Sequence, residues 1–194
     1  ARSAKDRNVI WGLTADLSSM VPARDRALYI SKSSDGGATW RPVARIDSRY
    51  FDAKIGEGLR NGFIVSPGGT YFVITTQRGA FQVYPRPGAS GPLVIPIVGP
   101  KVPHTPPRIS IPKKPGDPIR ANVVGMTVDG KHLIIGYGYF DLAPQIFSYH
   151  KGRHGLWIED RPLPPLPTEM DILSMQFDDP GNPHPGYLYV GTGD

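Results

Sequence analysis

Five side chains that could handle a carboxylate or a glycosidic bond fall within a dozen positions: Arg49, Tyr50, Asp52, Glu57 and Arg60. Arginine offers a planar fork of donors that can give two parallel hydrogen bonds to a carboxylate. Two carboxyl groups flanking a glycosidic bond can cleave it, and their separation decides the stereochemistry. Asp52, Glu57, Asp141, Glu169 and Asp171 are candidates for such a pair, since each falls in a segment that reads as a loop. The plainer reading of the same five is solvated loop charge or strand-end caps. Other chemistries find little support. There is no cysteine, so thiolate metal sites and disulfides are both out. His150 and His154 are four apart, a spacing that aligns two ligands only on a helix, and Gly152 and Gly155 argue for a turn there. His104 and His184 lie in proline-rich loops, and Ser66-Pro67-Gly68-Gly69 lacks the lysine and helix of a phosphate loop. No metal or cofactor is expected.

The elements that must position these residues read as strands. The chain holds 23 glycines and 22 prolines in 194 residues, yet 39% of it is hydrophobic. The apolar residues fall in short regular runs, which disordered chains lack. Glycine and proline therefore punctuate many strands, and an all-β chain is expected. No apolar run approaches the ~20 residues of a membrane helix. Ala1 to Arg7 contains no apolar signal core. Absence of cysteine suits an exported protein as well as a cytosolic one, and an extracellular or periplasmic setting is favoured. The formal charge of +5 is spread along the chain, the tightest group being Arg108, Lys113, Lys114 and Arg120 in a proline-rich loop. A nucleic-acid partner is not expected on that pattern. Pro162 to Pro167 reads as a stiff connector, with a polyproline ligand as its alternative.

A repeat organises the runs. Segments 9–14, 71–76, 132–137 and 187–192 share a pattern of aromatic and β-branched residues, and their starts lie 62, 61 and 55 residues apart. Before three of them comes another apolar strand and a tight turn: 62–65 with Ser66-Pro67-Gly68-Gly69, 123–128 with Asp129-Gly130, and 172–177 with Asp178 to Asn182. An Asp-Gly pair between alternating runs is a strong hairpin signal. A third strand follows at 27–32, 80–84 and 145–149, and a fourth at 40–46, 93–98 and 156–161. Four antiparallel strands in about sixty residues make a propeller blade. The expectation is one partial β-propeller domain over residues 1–194, about three and a half blades, with blade segments near 1–46, 57–99, 119–161 and 170–194.

At the first third-to-fourth turn stands Ser33-Ser34-Asp35-Gly36-Gly37-Ala38-Thr39-Trp40, which matches Ser-x-Asp-x-Gly-x-Thr-Trp at every fixed position. The stretch resembles the Asp box, or BNR repeat, of sialidase-like β-propellers. The resemblance implies a structural turn: the carboxylate accepts N–H bonds, the glycines take positive φ, and the indole covers the hairpin against the neighbouring sheet. Ser33, Asp35, Gly37, Thr39 and Trp40 are then structural, because this turn lies opposite the ligand face in the family. The second and third blades depart from it, with Arg86-Pro87-Gly88-Ala89-Ser90 and His150 to Trp157 in its place, and Trp157 alone keeps the indole. A sialidase-like site implies an arginine cluster, a tyrosine nucleophile with a glutamate, and an acidic proton donor. Arg49, Tyr50, Asp52, Glu57 and Arg60 supply those types, in the fourth-to-first-strand loop 47–61. The family's early Phe-Arg-Ile-Pro signature is missing, and Arg108-Ile109-Ser110-Ile111-Pro112 is a loose echo after the box.

Two function classes follow. In the first, a non-catalytic recognition or scaffold module binds a protein or glycan across its loops. In the second, the chain is part of a sialidase-like or other propeller glycoside hydrolase completed by further blades. Sixty-residue blades need ~240 residues to close at least four, so the sequence reads as a piece of a larger propeller. Its exposed strand edges are expected to be covered by the remaining blades or by another chain.

Overall fold

The computed structural model describes residues 6, 8–16, 20–51, 62–76, 78–87, 90–98, 121–127, 129–139, 142–160, 163, 171–177 and 188–193. Among them are thirteen strands and three single 3-10 turns, with no α-helix. The strands are β1 (Ile10–Asp16), β2 (Ala27–Ser33), β3 (Arg41–Asp47), β4 (Phe63–Val65), β5 (Phe72–Thr76), β6 (Gly79–Tyr84), β7 (Leu93–Val98), β8 (Ala121–Met126), β9 (His132–Tyr139), β10 (Leu142–Lys151), β11 (Trp157–Glu159), β12 (Asp171–Phe177) and β13 (Leu188–Gly193). They form four sheets, ordered β1-β2-β3, β4-β5-β6-β7, β8-β9-β10-β11 and β12-β13. Every pairing is antiparallel between strands consecutive in sequence. The protein is an all-β partial propeller.

Side-chain alternation explains why the sheets stack as blades. Successive residues of a strand point to opposite faces. In the second sheet Phe72 and Ile74 join a core with Leu28, Ile30 and Ile46 of the first. Tyr71 and Val73 face the other way, into a core with Val124, Leu133 and Ile135 of the third. Ile134 and Ile146 then leave the third sheet on its far side to meet Met175 and Val190 of the fourth. A sheet buried on both faces reads as a continuous apolar run, as Phe72 to Ile74 does, and all five residues of β5 are buried. Each fully buried aliphatic or aromatic side chain contributes roughly 1.5–3 kcal/mol. The strands that begin the second, third and fourth sheets also lie close together: β8 packs against β4 and β5 and against β12.

Turn chemistry sets the strand ends. The Ser66 hydroxyl accepts the N–H groups of Thr70 and Tyr71, both at 3.1 Å, and Gly69 takes a φ of 66°. At the next hairpin Thr127 donates its hydroxyl to Asp129 at 2.6 Å, the Lys131 N–H reaches the same carboxylate at 2.9 Å, and Gly130 has a φ of 68°. Those donors, the Thr127 hydroxyl first, hold the Asp129 carboxyl below its ordinary range. Asp171, read from sequence as the end of a loop, opens β12 instead.

Candidate functional site

The Ser33–Trp40 turn spends its polar groups on itself. The Ser33 hydroxyl donates to Asp35 Oδ1 at 2.6 Å and accepts the Gly37 N–H at 2.8 Å. Asp35 in turn accepts the Thr39 N–H at 2.9 Å and the Thr39 hydroxyl at 2.5 Å, one on each carboxylate oxygen. These bonds, led by the one from Ser33, push the Asp35 carboxyl far below the usual carboxylate range. Gly36 and Gly37 have φ of 73° and 104°, conformations that strain any side chain. Trp40 reaches across β2 to lie over Gly12 of its own sheet and stays 46% exposed among the described residues. The missing side chain at Gly12 leaves the hollow that the ring fills.

A groove of about 610 Å3 runs along β3 from Pro42 to Asp47 and is closed opposite by Arg86, Ser90 to Pro92 and Val94. It sits where the outer strands of the first two blades diverge. Among the described residues its ionisable lining is Arg45, Arg49, Arg86 and the acid Asp47, with the phenols of Tyr29 and Tyr50. Register places Arg45 beside Tyr29, its partner across β2 and β3. A hydrogen bond to the Tyr29 hydroxyl, and then the charge of Asp47, raise the Arg45 guanidinium above its ordinary value. Arg45 Nη1 donates to Asp47 at 2.6 Å, and Arg49 lies 3.6 Å from the other carboxylate oxygen. Arg49 also covers the ring of Tyr50 at 4.9 Å, and that ring meets Phe81 edge-on at 5.3 Å. The backbone beneath is fixed to the second blade. Thr76 donates its hydroxyl to the Tyr50 carbonyl at 2.7 Å, and Arg78 donates to the Arg49 carbonyl at 3.1 Å.

Among the described residues three guanidinium groups face one carboxylate, a positive surplus, and two tyrosines supply flat faces and hydroxyls. Such a lining can hold an anion attached to a polar, ring-shaped body. Of the sequence candidates, the structure brings Arg49 and Tyr50 together here. Asp52, Glu57, Arg60, Asp141 and Glu169 lie outside the described residues. The Ser33, Asp35, Gly37, Thr39 and Trp40 set closes its own turn. Sequence reasoning passed over Arg45 and Arg86. Arg45 carried a signal, since it alternates with the apolar Ala44 and Ile46 and so must face outward; Arg86 carried none, because only the packing of two blades brings it here. Among the described residues no group of three or more His, Asp or Glu side chains could hold a metal ion. His150 Nδ1 lies 2.6 Å from Asp160, while His154 is exposed in the turn after β10, with a φ of 66°.

No family model matches the chain, and neither does any curated protein. Solved structures do resemble it. They include an ancestral GH74 enzyme (12% identity, TM-score 0.48), a hypothetical selenium-binding protein from Sulfolobus tokodaii (11%, 0.47) and the GH74 enzyme of Niastella koreensis (13%, 0.39). The alignments cover 82%, 82% and 81% of this chain but only 19%, 39% and 29% of those chains. The propeller arrangement stands on the strand order and interblade cores described above.

Proposed function

We propose that the chain is a non-catalytic recognition module of an Asp-box propeller, and that the groove along β3 binds a carboxylate-bearing glycan. The observation that supports it best is the clustering of Arg45, Arg49 and Arg86 around one acid that two of them already engage. An arginine fork suits the carboxylate of an acidic sugar, and Tyr29 and Tyr50 can pack on its ring. The self-contained bonding of Asp35 fits the Asp-box role of a turn rather than of a catalytic acid. A propeller glycoside hydrolase would need two carboxyls ~5–10 Å apart across the bond, and among the described residues this groove is lined by the carboxyl of Asp47. The remaining blades of a larger propeller, or another chain, pack against the outer strands β1 and β13.

Calorimetric titration of the intact chain with a uronic-acid oligosaccharide and its neutral counterpart tests this reading. Binding of the acidic sugar, weakened about tenfold by Arg86→Ala and by added salt, is expected. Equal affinity for the neutral sugar would overturn it, as would release of reducing ends.

A further inference from the structure

On the side of the third sheet that faces the fourth, two histidines stand opposite one another. Leu133 and Tyr149 are partners across β9 and β10, and both are buried in the core shared with the second sheet. Side chains alternate along a strand, so their neighbours His132 and His150, also partners, project from the other face. That is the face on which Ile134 and Ile146 meet Met175. The pairing is of the closer kind. The Lys151 N–H donates to the Lys131 carbonyl at 2.9 Å, whereas the Gly152 N–H goes to Leu156 and the Asp160 N–H to Ser148, both at 2.8 Å. Main-chain bonds alternate sides along an antiparallel strand, so those of His150 turn toward Ile158 on β11. His132 and His150 are therefore a non-hydrogen-bonded pair, whose Cβ atoms lie about 4.5–5.5 Å apart.

The two imidazoles are prepared unequally. His150 Nδ1 lies 2.6 Å from Asp160 Oδ1. A carboxylate can only accept, so Nδ1 carries the proton and the lone pair of the neutral ring sits on Nε2. A carboxylate behind one ring nitrogen is how ligating histidines are commonly held in one tautomer and orientation. The His132 side chain is exposed, and its ring makes no hydrogen bond or ion pair among the described residues. Asp129, in the adjoining turn, commits its carboxylate to Thr127 and Lys131. Two nitrogens each ~2.0–2.1 Å from one ion lie about 3 Å apart, a span that rings on a close cross-strand pair reach by side-chain rotation.

We propose that His132 and His150 together bind a late divalent transition-metal ion, copper(II) or nickel(II), with water completing its coordination and Asp160 orienting His150 from behind. Imidazole nitrogens and oxygens in a tetragonal plane suit these two ions, and the affinity of such sites climbs from manganese to copper. Magnesium and calcium demand oxygen ligands and find none in the pair. Two protein ligands make a weaker site than the closed sets of three or four, and they tie β9 to β10 at the end of the sheet. The pair lies on a different blade from the groove along β3, and the proposal is independent of the glycan reading.

The test is calorimetric titration of the untagged intact chain with nickel(II) chloride. Saturable binding is expected, tighter with copper(II) and absent with magnesium. His132→Ala, His132→Gln and His150→Ala should each weaken it about tenfold or more, and Asp160→Asn about tenfold. His154→Ala, four residues beyond His150, should leave it unchanged. Unfolding midpoints separate these effects from loss of fold. Without metal, the His132 variants should melt with the wild type, because the side chain is exposed. With nickel, only the wild type and His154→Ala should gain the full rise in midpoint that binding to the folded state confers. Wild-type affinity in the His132 variants overturns the proposal. So does a loss that follows His154, or a wild-type chain that takes up no nickel.

Discussion

The carboxylate of Asp35 takes both the main-chain N–H of Thr39, at 2.9 Å, and its hydroxyl, at 2.5 Å. One short side chain thus closes the crossing from β2 to β3 from both ends, with Ser33 behind it at 2.6 Å. The turn's charge is a part of the fold, and that makes it sensitive to acid.

Because the folded Asp35 carboxyl titrates well below its unfolded value near 3.9, its bonds stabilise the protein in full above that value. They are lost as the pH falls from there toward the lower folded value. Asp35→Asn should therefore flatten the acid limb of the thermal midpoint against pH, and parallel limbs in the two proteins would refute this. Ser33→Ala removes a buried hydroxyl, leaves the Gly37 N–H without its partner, and should cost about 1–3 kcal/mol at neutral pH.

Gly62 sits where the second and third blades meet. A Cβ there would come within 2.8 Å of the Val124 main-chain nitrogen and 2.6 Å of Thr75 Oγ1. Thr75 cannot yield without losing its 2.6 Å bond from the Gly62 N–H. Gly62→Ala should destabilise by about 1–3 kcal/mol, while Gly91→Ala, where a Cβ meets nothing within 4 Å, should be near neutral. Chemical denaturation of both variants checks this, and equal midpoints would remove the close-packing argument.

The strands were legible because blades bury both faces: a run such as Phe72-Val73-Ile74 has no other use in a chain without helical period. Asp129-Gly130 and Ser66 to Gly69 were legible because positive φ and side-chain acceptors restrict the residue types. The groove along β3 was not. Arg86 reaches it through the divergence of blades, a relation between distant segments that leaves no local pattern. The indole of Trp40 could be placed at a turn from sequence, but the hollow it fills belongs to Gly12 two strands away.

Interblade cores predict where truncation hurts. Ile74 and Leu133 are fully buried between blades, and Leu156 is 53% exposed. Ile74→Ala and Leu133→Ala should each cost about 2–5 kcal/mol, and Leu156→Ala about 0.5 kcal/mol or less. Urea midpoints of the three variants decide it. A large cost at Leu156 would mean that the rim, rather than the interblade layers, holds the sheets together.

Asp47 offers a prediction with the opposite sign. It is the one acid among the described residues of the arginine groove, 2.6 Å from Arg45 and 3.6 Å from Arg49. All three side chains are about half exposed or more, so the pairs themselves contribute little to stability. Their larger effect is to cancel positive charge that an anionic ligand would otherwise meet. Asp47→Asn keeps the shape and a hydrogen-bond acceptor for Arg45 while removing the competing charge. Unit charges 4 Å apart in water interact by about 1 kcal/mol, so affinity for the acidic oligosaccharide should rise about fivefold with little change in unfolding midpoint. The gain should fade at high salt, as screening demands. A loss of affinity instead would show that Asp47 serves to hold the Arg45 and Arg49 forks in their binding geometry, and that orientation outweighs net charge in this groove.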